Sequence, residues 1–334
     1  MRWIVRGLIG LVVLVILAAA GLLVLDLPNQ PGKADTAALI ARADRYDVQI
    51  RRDAWGVPHI LGKTNADAAF GLAFAHAEDD FATIQEVTLA TRGKLAAEKG
   101  LKAAPTDFIV SLLGVWKAVD AGYDRDLPAD VRAVLEGYAD GINLYGAQHP
   151  DQVAPGLLPV SGRDIAAGFV FKTPFFYGLD AELKRLNDLP ADPMPKGSNG
   201  VAVAPSRSAD GATRLLVNSH QPFTGAVAWY EAVVESGEGW HVAGGFFPGS
   251  PFMLHGHNAD LGWANTVNTP DLIDTYRLTI NPKNKNQYRL DGSWKDFEKS
   301  EARLRVKLWG PFHITVKKPV LRSVHGPAPA ASPG

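Results

Sequence analysis

Lys196-Gly197-Ser198-Asn199-Gly200-Val201-Ala202-Val203-Ala204 and Arg214-Leu215-Leu216-Val217-Asn218-Ser219-His220 are the two runs that decide the fold of this chain. They flank Ser208-Ala209-Asp210-Gly211, and Asp-Gly between apolar runs is a strong hairpin signal. A turn centred near residues 209 and 210 sets Ser198 opposite His220 or its neighbour, with Cβ atoms about 4.5–5.5 Å apart. We therefore expect a hydroxyl at a strand start to face an imidazole.

The chain changes character at residues 189–195, a proline-rich stretch that is typical of an exposed linker. Before it, apolar periodicity predicts a strand at 48–51 and helices at 34–45, 68–81, 82–99, 106–119, 128–147 and 164–187, the last kinked or broken at Pro174. After it, we predict strands at 198–205, 214–219, 227–235, 240–246, 253–256, 261–267, 274–280, 302–308 and 312–319. The sequence therefore predicts an α+β chain, with a helical part followed by a β-rich part.

Composition narrows the classes of function. The 334 residues suffice for one large domain or two ordinary ones, and 46% are hydrophobic. A formal net charge of -1, with scattered basic residues, argues against nucleic acid as a partner. Since the chain has no cysteine, disulfides, thiolate metal sites and cysteine nucleophiles are excluded. No Gly-x-Ser-x-Gly elbow, P-loop or dinucleotide fingerprint is present.

Residues 1–32 form an export element. Arg2 and Arg6 precede an uncharged apolar run at residues 7–25, longer than the roughly 7–15 residues of a cleavable signal and close to the roughly 20 that span a bilayer. We favour an uncleaved anchor. The small residues at 18–20 could be a peptidase site, so a cleaved signal is the alternative. Either way, the positive-inside rule puts the chain after Asp26 on the far side of the membrane.

Ser198 is the candidate nucleophile. A serine hydroxyl needs a base, and a serine at a chain terminus carries one, because its α-amine has a pKa of about 7.7–8.0. Exposing that amine requires cleavage between Gly197 and Ser198, and glycine permits the backbone strain of that step. Taken alone, Gly-Ser-Asn is more often a turn than a nucleophile.

Other side-chain groups have structural and functional interpretations. We favour the polar face of a helix over a metal site for His76, Glu78, Asp79 and Asp80, and structural use over a metal pair for His255 and His257. Five side chains are candidate walls of an apolar pocket, with packing in the core as an alternative of nearly equal weight: Phe175, Phe176, Tyr177, Phe252 and Leu254.

Several ordered motifs together give the chain a family resemblance from about Val48 onward. They are the runs at 52–60 (RDAWGVPHI), 75–79 (AHAED), 92–96 (RGKLA), 138–143 (YADGIN), 197–199 (GSN), 216–220 (LVNSH) and 256–258 (GHN). The sequence resembles the penicillin acylase family of N-terminal-nucleophile hydrolases. Within it, His220 and residues 207–211 look most like the acyl-homoserine lactone and long-chain acylases. The resemblance implies an αββα sandwich, incomplete here.

The resemblance also implies roles for single residues. Ser198 would be the nucleophile released by autocleavage after Gly197, His220 would orient or assist it, and the backbone N–H of Val267 would form half of an oxyanion hole. No cofactor is expected for catalysis. A structural Ca²⁺ is implied at positions that bind calcium in many but not all members, namely Glu182, Asp271, Ile273 and Asp274.

The resemblance further implies a small N-acyl amide substrate, penicillin or acyl-homoserine lactone in type, and α and β chains cut from one precursor. We expect an exported protein, periplasmic or anchored in the inner membrane, divided into an anchor (1–32), an α-chain-like region (33–189), a linker (190–197), part of a nucleophile domain (198–327) and an atypical tail (328–334). Compared with the family the chain looks truncated, without the asparagine that completes the oxyanion hole. An inactive, membrane-anchored remnant with at most a binding role is therefore the alternative.

Overall fold

Helices dominate the first part of the chain and strands the second. The computed structural model describes residues 2–190, 197–267 and 272–328. Its α-helices are α1 Arg2–Asp26, α2 Thr36–Ala43, α3 Asn65–Thr91, α4 Ala96–Lys99, α5 Ala104–Leu113, α6 Val115–Asp126, α7 Ala129–Gln148, α8 Gly162–Phe176 and α9 Leu179–Leu186. Its strands are β1 Val48–Arg52, β2 Pro58–Gly62, β3 Ser198–Val203, β4 Arg214–Ser219, β5 Tyr230–Ser236, β6 His241–Phe246, β7 Met253–His257, β8 Gly262–Trp263, β9 Ile280–Asn281, β10 Asn284–Leu290, β11 Ser293–Asp296, β12 Glu298–Trp309, β13 Phe312–Ser323 and β14 Gly326–Ala328.

A six-stranded sheet joins the two parts. Its order is β1-β2-β5-β6-β7-β8, antiparallel except that β2 and β5 run parallel. The early hairpin β1–β2 thus supplies one edge, and strands from the second part supply the rest. Smaller sheets are formed by β3-β4, by β9-β10-β11 and by β12-β13-β14.

The long helix α3 is the centre of the helical layer. It packs on α7 and against β1, β2 and β5, so that its alanine-rich sequence is buried on nearly all sides. Glycines of α7 allow the close approach, since a Cβ on Gly141 would lie 2.3 Å from the carbonyl oxygen of Phe70. A capping box between Thr64 and Asp67 sets the first residue of α3.

A second apolar cluster lies under the hairpin β12–β13. Alternate residues of β12, namely Ala302, Leu304 and Val306, are buried against α4 and α5. This period of two is typical of a strand with one face on a core.

Within the described residues, one helix is long and apolar enough to cross a membrane. The stretch is Leu8–Asn29, near the N-terminus, and its most apolar part is exposed. By length and composition it is compatible with either a signal or an anchor.

The predicted α+β class, with helices first, is confirmed. Four predicted helices have different bounds. The pair 68–81 and 82–99 forms one helix to Thr91 with an irregular residue, Asp80. Residues 106–119 break at Gly114, whose φ is 70°. The predicted helix 164–187 is two helices. The first ends two residues after Pro174, and Gly178, with a φ of 95°, precedes the second.

The strand predictions err in the last third of the chain. Of residues 261–267 only 262–263 are in a strand, and of the described residues 274–280 only Ile280 is. The hairpin β10–β11 was not predicted, because its strands are largely polar and exposed and lack the apolar alternation that marks a half-buried strand. The proposed αββα sandwich and the domain boundaries stay predictions.

Arg92, just after α3, holds the segment that leads into α8. Its guanidinium donates to both carboxylate oxygens of Asp164, at 2.6 and 2.9 Å, and to the carbonyls of Gly156, Leu157 and Pro159 at 2.6–2.8 Å. Asp164 also closes the capping box of α8 through Ser161. All five N–H donors of the fork are therefore in use.

Replacing Arg92 with lysine is expected to lower the free energy of unfolding by roughly 3–5 kcal/mol, because a buried carboxylate and three carbonyls lose their planar partner. Urea denaturation followed by far-UV circular dichroism measures the change. The control is Arg125→Lys, in an exposed ion pair with Asp126, which should change stability by less than about 0.5 kcal/mol. Equal losses of unfolding free energy in the two variants would contradict the proposed importance of the Arg92 guanidinium.

Candidate active site

The hairpin β3–β4 places Ser198 at the start of a strand. Its register pairs Ser198 with Ser219, so His220 is the next residue beyond the ladder. In the turn, Arg214 and Ser208 donate hydrogen bonds to the carboxylate of Asp210, and these bonds hold the pKa of that carboxyl below its usual range. The predicted pairing of Ser198 with the neighbour of His220 is thus what the structure has.

Three contacts surround the hydroxyl and carbonyl of Ser198. Its Oγ donates to the carbonyl oxygen of Gly197 at 2.6 Å, and the backbone N–H of His220 donates to the same Oγ at 3.4 Å. The Thr266 hydroxyl donates to the Ser198 carbonyl at 2.9 Å. The nucleophile candidate therefore touches the peptide bond behind it, the end of β4 and the segment that follows β8.

The imidazole of His220 lies beside the peptide bond between residues 197 and 198. Its Nε2 is 3.3 Å from Asn199 Nδ2, within hydrogen-bond distance of that amide group. A Cβ on Gly197 would lie 3.4 Å from that Nδ1. A side chain at position 197 would therefore contact the ring.

Ser198 opens onto a cavity of about 450 Å³. One wall is α8 and the turn after it, and the other walls come from β7, the loop before it and residues 265–267. The predicted pocket residues Phe176, Tyr177 and Leu254 line it, together with Val267. Phe175 and Phe252 are not among the described lining residues. Their rings pack on Phe171 at 5.3 Å and on Phe169 at 5.7 Å, because both side chains turn toward neighbours of the core.

An aromatic stack forms the floor of the cavity. The Phe247 ring stacks between Trp229, at 4.3 Å, and Phe176, at 6.0 Å. The His255 ring stands edge-on to Trp229 at 4.6 Å, and its Nδ1 accepts from the backbone N–H of Asn265 at 2.9 Å. Burial lowers the pKa of His255, so the ring is neutral at pH 7. His255 is thus structural, as we favoured, and it holds Asn265 in place.

Lys172 is a lining residue that sequence reasoning missed. Its Nζ donates to the Pro248 carbonyl at 3.0 Å and lies 5.9 Å from the Phe247 ring centroid, and no described carboxylate forms an ion pair with it. Burial lowers its pKa to about 8. The sequence offered one signal for this position. Lys172 is the single charged residue in the largely apolar, aromatic run 169–177.

The His76 group is not a metal site among the described residues. His76 is buried and stacks on Tyr230 at 3.8 Å, and burial lowers its pKa to about 4. Glu78 and Asp79 instead bind the guanidinium of Arg52 at 3.1 and 2.8 Å. The interpretation as a polar helix face therefore holds for the carboxylates but is wrong for His76, which packs inside.

The calcium candidates are only partly described. Asp271 lies outside the described residues, and Ile273 and Asp274 lie in a segment without regular structure. The Thr275 hydroxyl donates to the carboxylate of Glu182, which brings α9 next to this segment. Arg185 also donates to Glu182, at 2.6 and 2.8 Å, and with Thr275 lowers the pKa of Glu182 to about 2.

Comparison with known proteins adds the family. The model of the penicillin amidase family matches residues 47–330. The chain belongs to the penicillin amidase family. Among the relatives of this penicillin amidase chain are the acyl-homoserine lactone acylase PvdQ of Pseudomonas putida KT2440 (28% identical, 89% of this chain, 42% of that protein) and PvdQ of Pseudomonas fluorescens Pf0-1 (27%, 83% and 40%). Acyl-homoserine lactone acylase QuiP of Pseudomonas aeruginosa PAO1 is 24% identical over 84% of this chain and 40% of its own length.

This member of the penicillin amidase family spans about two fifths of the length of the curated relatives it matches. Among solved structures, thermostable penicillin G acylase from Alcaligenes faecalis is 20% identical and covers 44% of this chain and 77% of its own, with a TM-score of 0.31.

Replacing Lys172 with methionine should stabilise the protein at pH 7 by at most about 3 kcal/mol, because a pKa lowered from 10.5 to about 8 measures the cost of the buried charge. Below pH 8 the lysine is charged in the folded and unfolded states, and the cost is full. It declines as pH rises from about 8 to 10.5, where the lysine is neutral in both states.

Denaturation of wild type and Lys172→Met at pH 7, 8.5 and 10 measures this difference. The control is Lys63→Met, at an exposed position. A stability difference between Lys172→Met and wild type that is the same at all three pH values would contradict the buried-charge interpretation.

Proposed function

We propose that this chain is part of an amidohydrolase that cleaves the amide of a hydrophobic N-acyl compound through an acyl-enzyme on Ser198. The observation that carries the proposal is the position of Ser198, whose Oγ lies 2.6 Å from the Gly197 carbonyl oxygen and also lines the aromatic cavity. Membership in the penicillin amidase family supports the reaction class.

The first step is self-cleavage. Ser198 Oγ attacks the Gly197 carbonyl carbon, the peptide nitrogen leaves as the amine of Ser198, and water hydrolyses the ester to a carboxylate on Gly197. His220, beside this bond, is proposed to orient the reacting groups. The products are an α chain that ends at Gly197 and a β chain that begins at Ser198.

In the second reaction, the free amine of Ser198 takes the hydroxyl proton while Oγ attacks the substrate carbonyl, and then gives that proton to the leaving amine. We assign the backbone N–H of Val267 to the oxyanion that forms. Thr266, bonded to Ser198, supports that position. One such donor stabilises the transition state by roughly 3–4 kcal/mol.

The cavity favours an apolar acyl group, because Phe176, Trp229, Phe247 and Leu254 are among its walls. Relatives are named acyl-homoserine lactone acylases, and the family model that matches is that of penicillin amidase. We therefore propose N-acyl amides of these two types as substrates. The competing proposal, an inactive anchored remnant, predicts that Ser198 stays inside one uncut chain.

Replacing Ser198 with alanine is expected to abolish self-cleavage, because the nucleophile is lost. Intact-mass analysis of the purified protein should show two chains meeting at Gly197/Ser198 in wild type and one uncut chain in the variant. Ser219→Ala, at the position paired with Ser198, is the matched control and should still be cut. A single uncut chain in wild type, also after addition of the C-terminal region of a relative, would favour the remnant.

We also propose the structural Ca²⁺ site implied by the family, with Glu182 and the carboxylate of Asp274 as hard oxygen donors. The contact between Thr275 and Glu182 supports it, since it joins the two segments. The bond of Arg185 to Glu182 opposes it, because the guanidinium holds the oxygens that a metal needs.

The calcium proposal predicts that millimolar Ca²⁺ raises the melting temperature of wild type, by mass action on the folded state. Glu182→Gln should remove the rise, while Glu86→Gln, in an ion pair with Lys99, should keep it. Differential scanning calorimetry with EDTA as reference measures the effect. No rise in wild type would reject the site.

A last proposal concerns location. We propose that α1 stays attached and anchors the rest of the chain on the periplasmic face of the inner membrane. The charges of Arg2 and Arg6 before the apolar run support this orientation.

A further inference from the structure

The C-terminal end of α1 is clamped to the hairpin β12–β13. Asp26 is buried, and both of its carboxylate oxygens accept from Arg305, at 2.6 and 2.8 Å. His313 Nδ1, across the hairpin, lies 3.7 Å from the same carboxylate. The apolar helix therefore leaves the body of the protein at a fixed point, close to the tip of this hairpin.

The solvent exposure of individual residues shows which half of β13 lies under the helix. Residues 312–316 are all partly covered, on both faces of the strand, whereas 317–319 are exposed. On α1, Ala19 and residues 21–23 are partly covered, whereas residues 8–18 are exposed. Since α1 packs on β13, its last turns lie over the tip half of that strand.

The tip lies close to the clamp that joins Asp26 to the hairpin. From Asp26 back to Ala19 the helix rises about 10 Å at 1.5 Å per residue. From His313 to the tip at residue 310 a strand covers about 10 Å at 3.3 Å per residue. If α1 spans a bilayer as far as Asp26, the clamp lies at the membrane surface, and the tip lies within about 10 Å of it.

The chemistry of the tip suits that depth. Leu308 and Trp309 are 42% and 62% exposed, and the rings of Trp309 and Phe312 lie 5.0 Å apart. Tryptophan is enriched at the level of lipid headgroups. An apolar tip of this kind on a strand pair is otherwise a liability in water.

The flanks of the hairpin are basic. Residues 298–323 hold seven Lys and Arg against two Glu. Arg303 pairs directly with Lys317 across the strands, and Glu301 lies 3.6 Å from the Lys317 ammonium. Four of the cations form no ion pair with a described carboxylate: Lys299, Arg303, Lys318 and Arg322. Basic residues beside a membrane anchor are typical of contact with anionic lipid headgroups.

We propose that the tip of the β12–β13 hairpin, residues 308–312, inserts into the headgroup region of an anionic phospholipid bilayer as a second membrane contact beside α1. The proposal rests on the retained anchor proposed above. Two attachment points fix the orientation of the chain on the membrane, where one helix alone would let it rotate.

The absence of cysteine allows site-specific labels. The full 334-residue chain is placed in nanodiscs of phosphatidylglycerol and phosphatidylethanolamine, with an environment-sensitive fluorophore on a single introduced cysteine. Leu308→Cys reports the tip, Ile16→Cys reports α1, and Trp55→Cys, at a 91% exposed position in the β1–β2 turn, is the control. Quenching by spin-labelled lipids of known depth locates each label, and far-UV circular dichroism checks folding.

We expect the label at position 308 to lie about 5–10 Å into the headgroup and acyl boundary, the depth of interfacial apolar segments. The label at position 16 should lie deeper, and the one at position 55 should stay in water. A label at position 308 as exposed as that at 55 overturns the inference. So does shielding without lipid quenching, which would indicate contact between two copies.

Position 16 separates the two proposals. If its label lies in the bilayer and the label at 308 does not, the anchor stands and the hairpin contact fails. If the label at 16 stays in water, both fail. Self-cleavage at Ser198 is measured separately and depends on neither result.

Discussion

The fork of Arg92 is the interaction on which the position of α8 depends. Arg92 follows the central helix α3, and Asp164 lies in the first turn of α8. Their ion pair therefore fixes the start of α8, which forms a wall of the cavity, relative to α3. The same guanidinium also donates to the carbonyls of Gly156, Leu157 and Pro159. These bonds restrict the loop before α8. Lys172 and Phe176 are two and three turns further along this helix.

The opposite walls depend on a different constraint, the strand ladder. Strand β7 pairs with β6 in the six-stranded sheet, which packs on α3 through β1, β2 and β5. Asn265 donates to the Leu254 carbonyl at 2.8 Å, so the segment after β8 follows β7. Both walls of the cavity are thus positioned by contacts that lead to the same central helix, α3. A cavity between them keeps its width as long as α3 keeps its packing.

How much the sequence could predict depends on the range of each interaction. The β3–β4 register was predictable because Asp210-Gly211 and two short apolar runs determine it locally. The packing of His76 on Tyr230 and the position of Lys172 were not, since both depend on partners about 75–150 residues away. Phe175 and Phe176 show the same limit. They are neighbours in one aromatic run, yet one faces the core and the other the cavity.

In the mechanism that we propose, the hairpin serves two reactions with one hydroxyl. In the uncut chain the Ser198 nitrogen is an amide and cannot act as a base, so the proposed cleavage depends on what surrounds Gly197, and the imidazole of His220 lies beside it. After the proposed cleavage the amine would be at the same point of the ladder, where Thr266 and the N–H of His220 contact Ser198 in the uncut chain. A strand start paired on one side can lose its preceding residue without losing its register. A nucleophile in the middle of a strand would have no such freedom, and this is the physical reason for placing it where the linker meets β3.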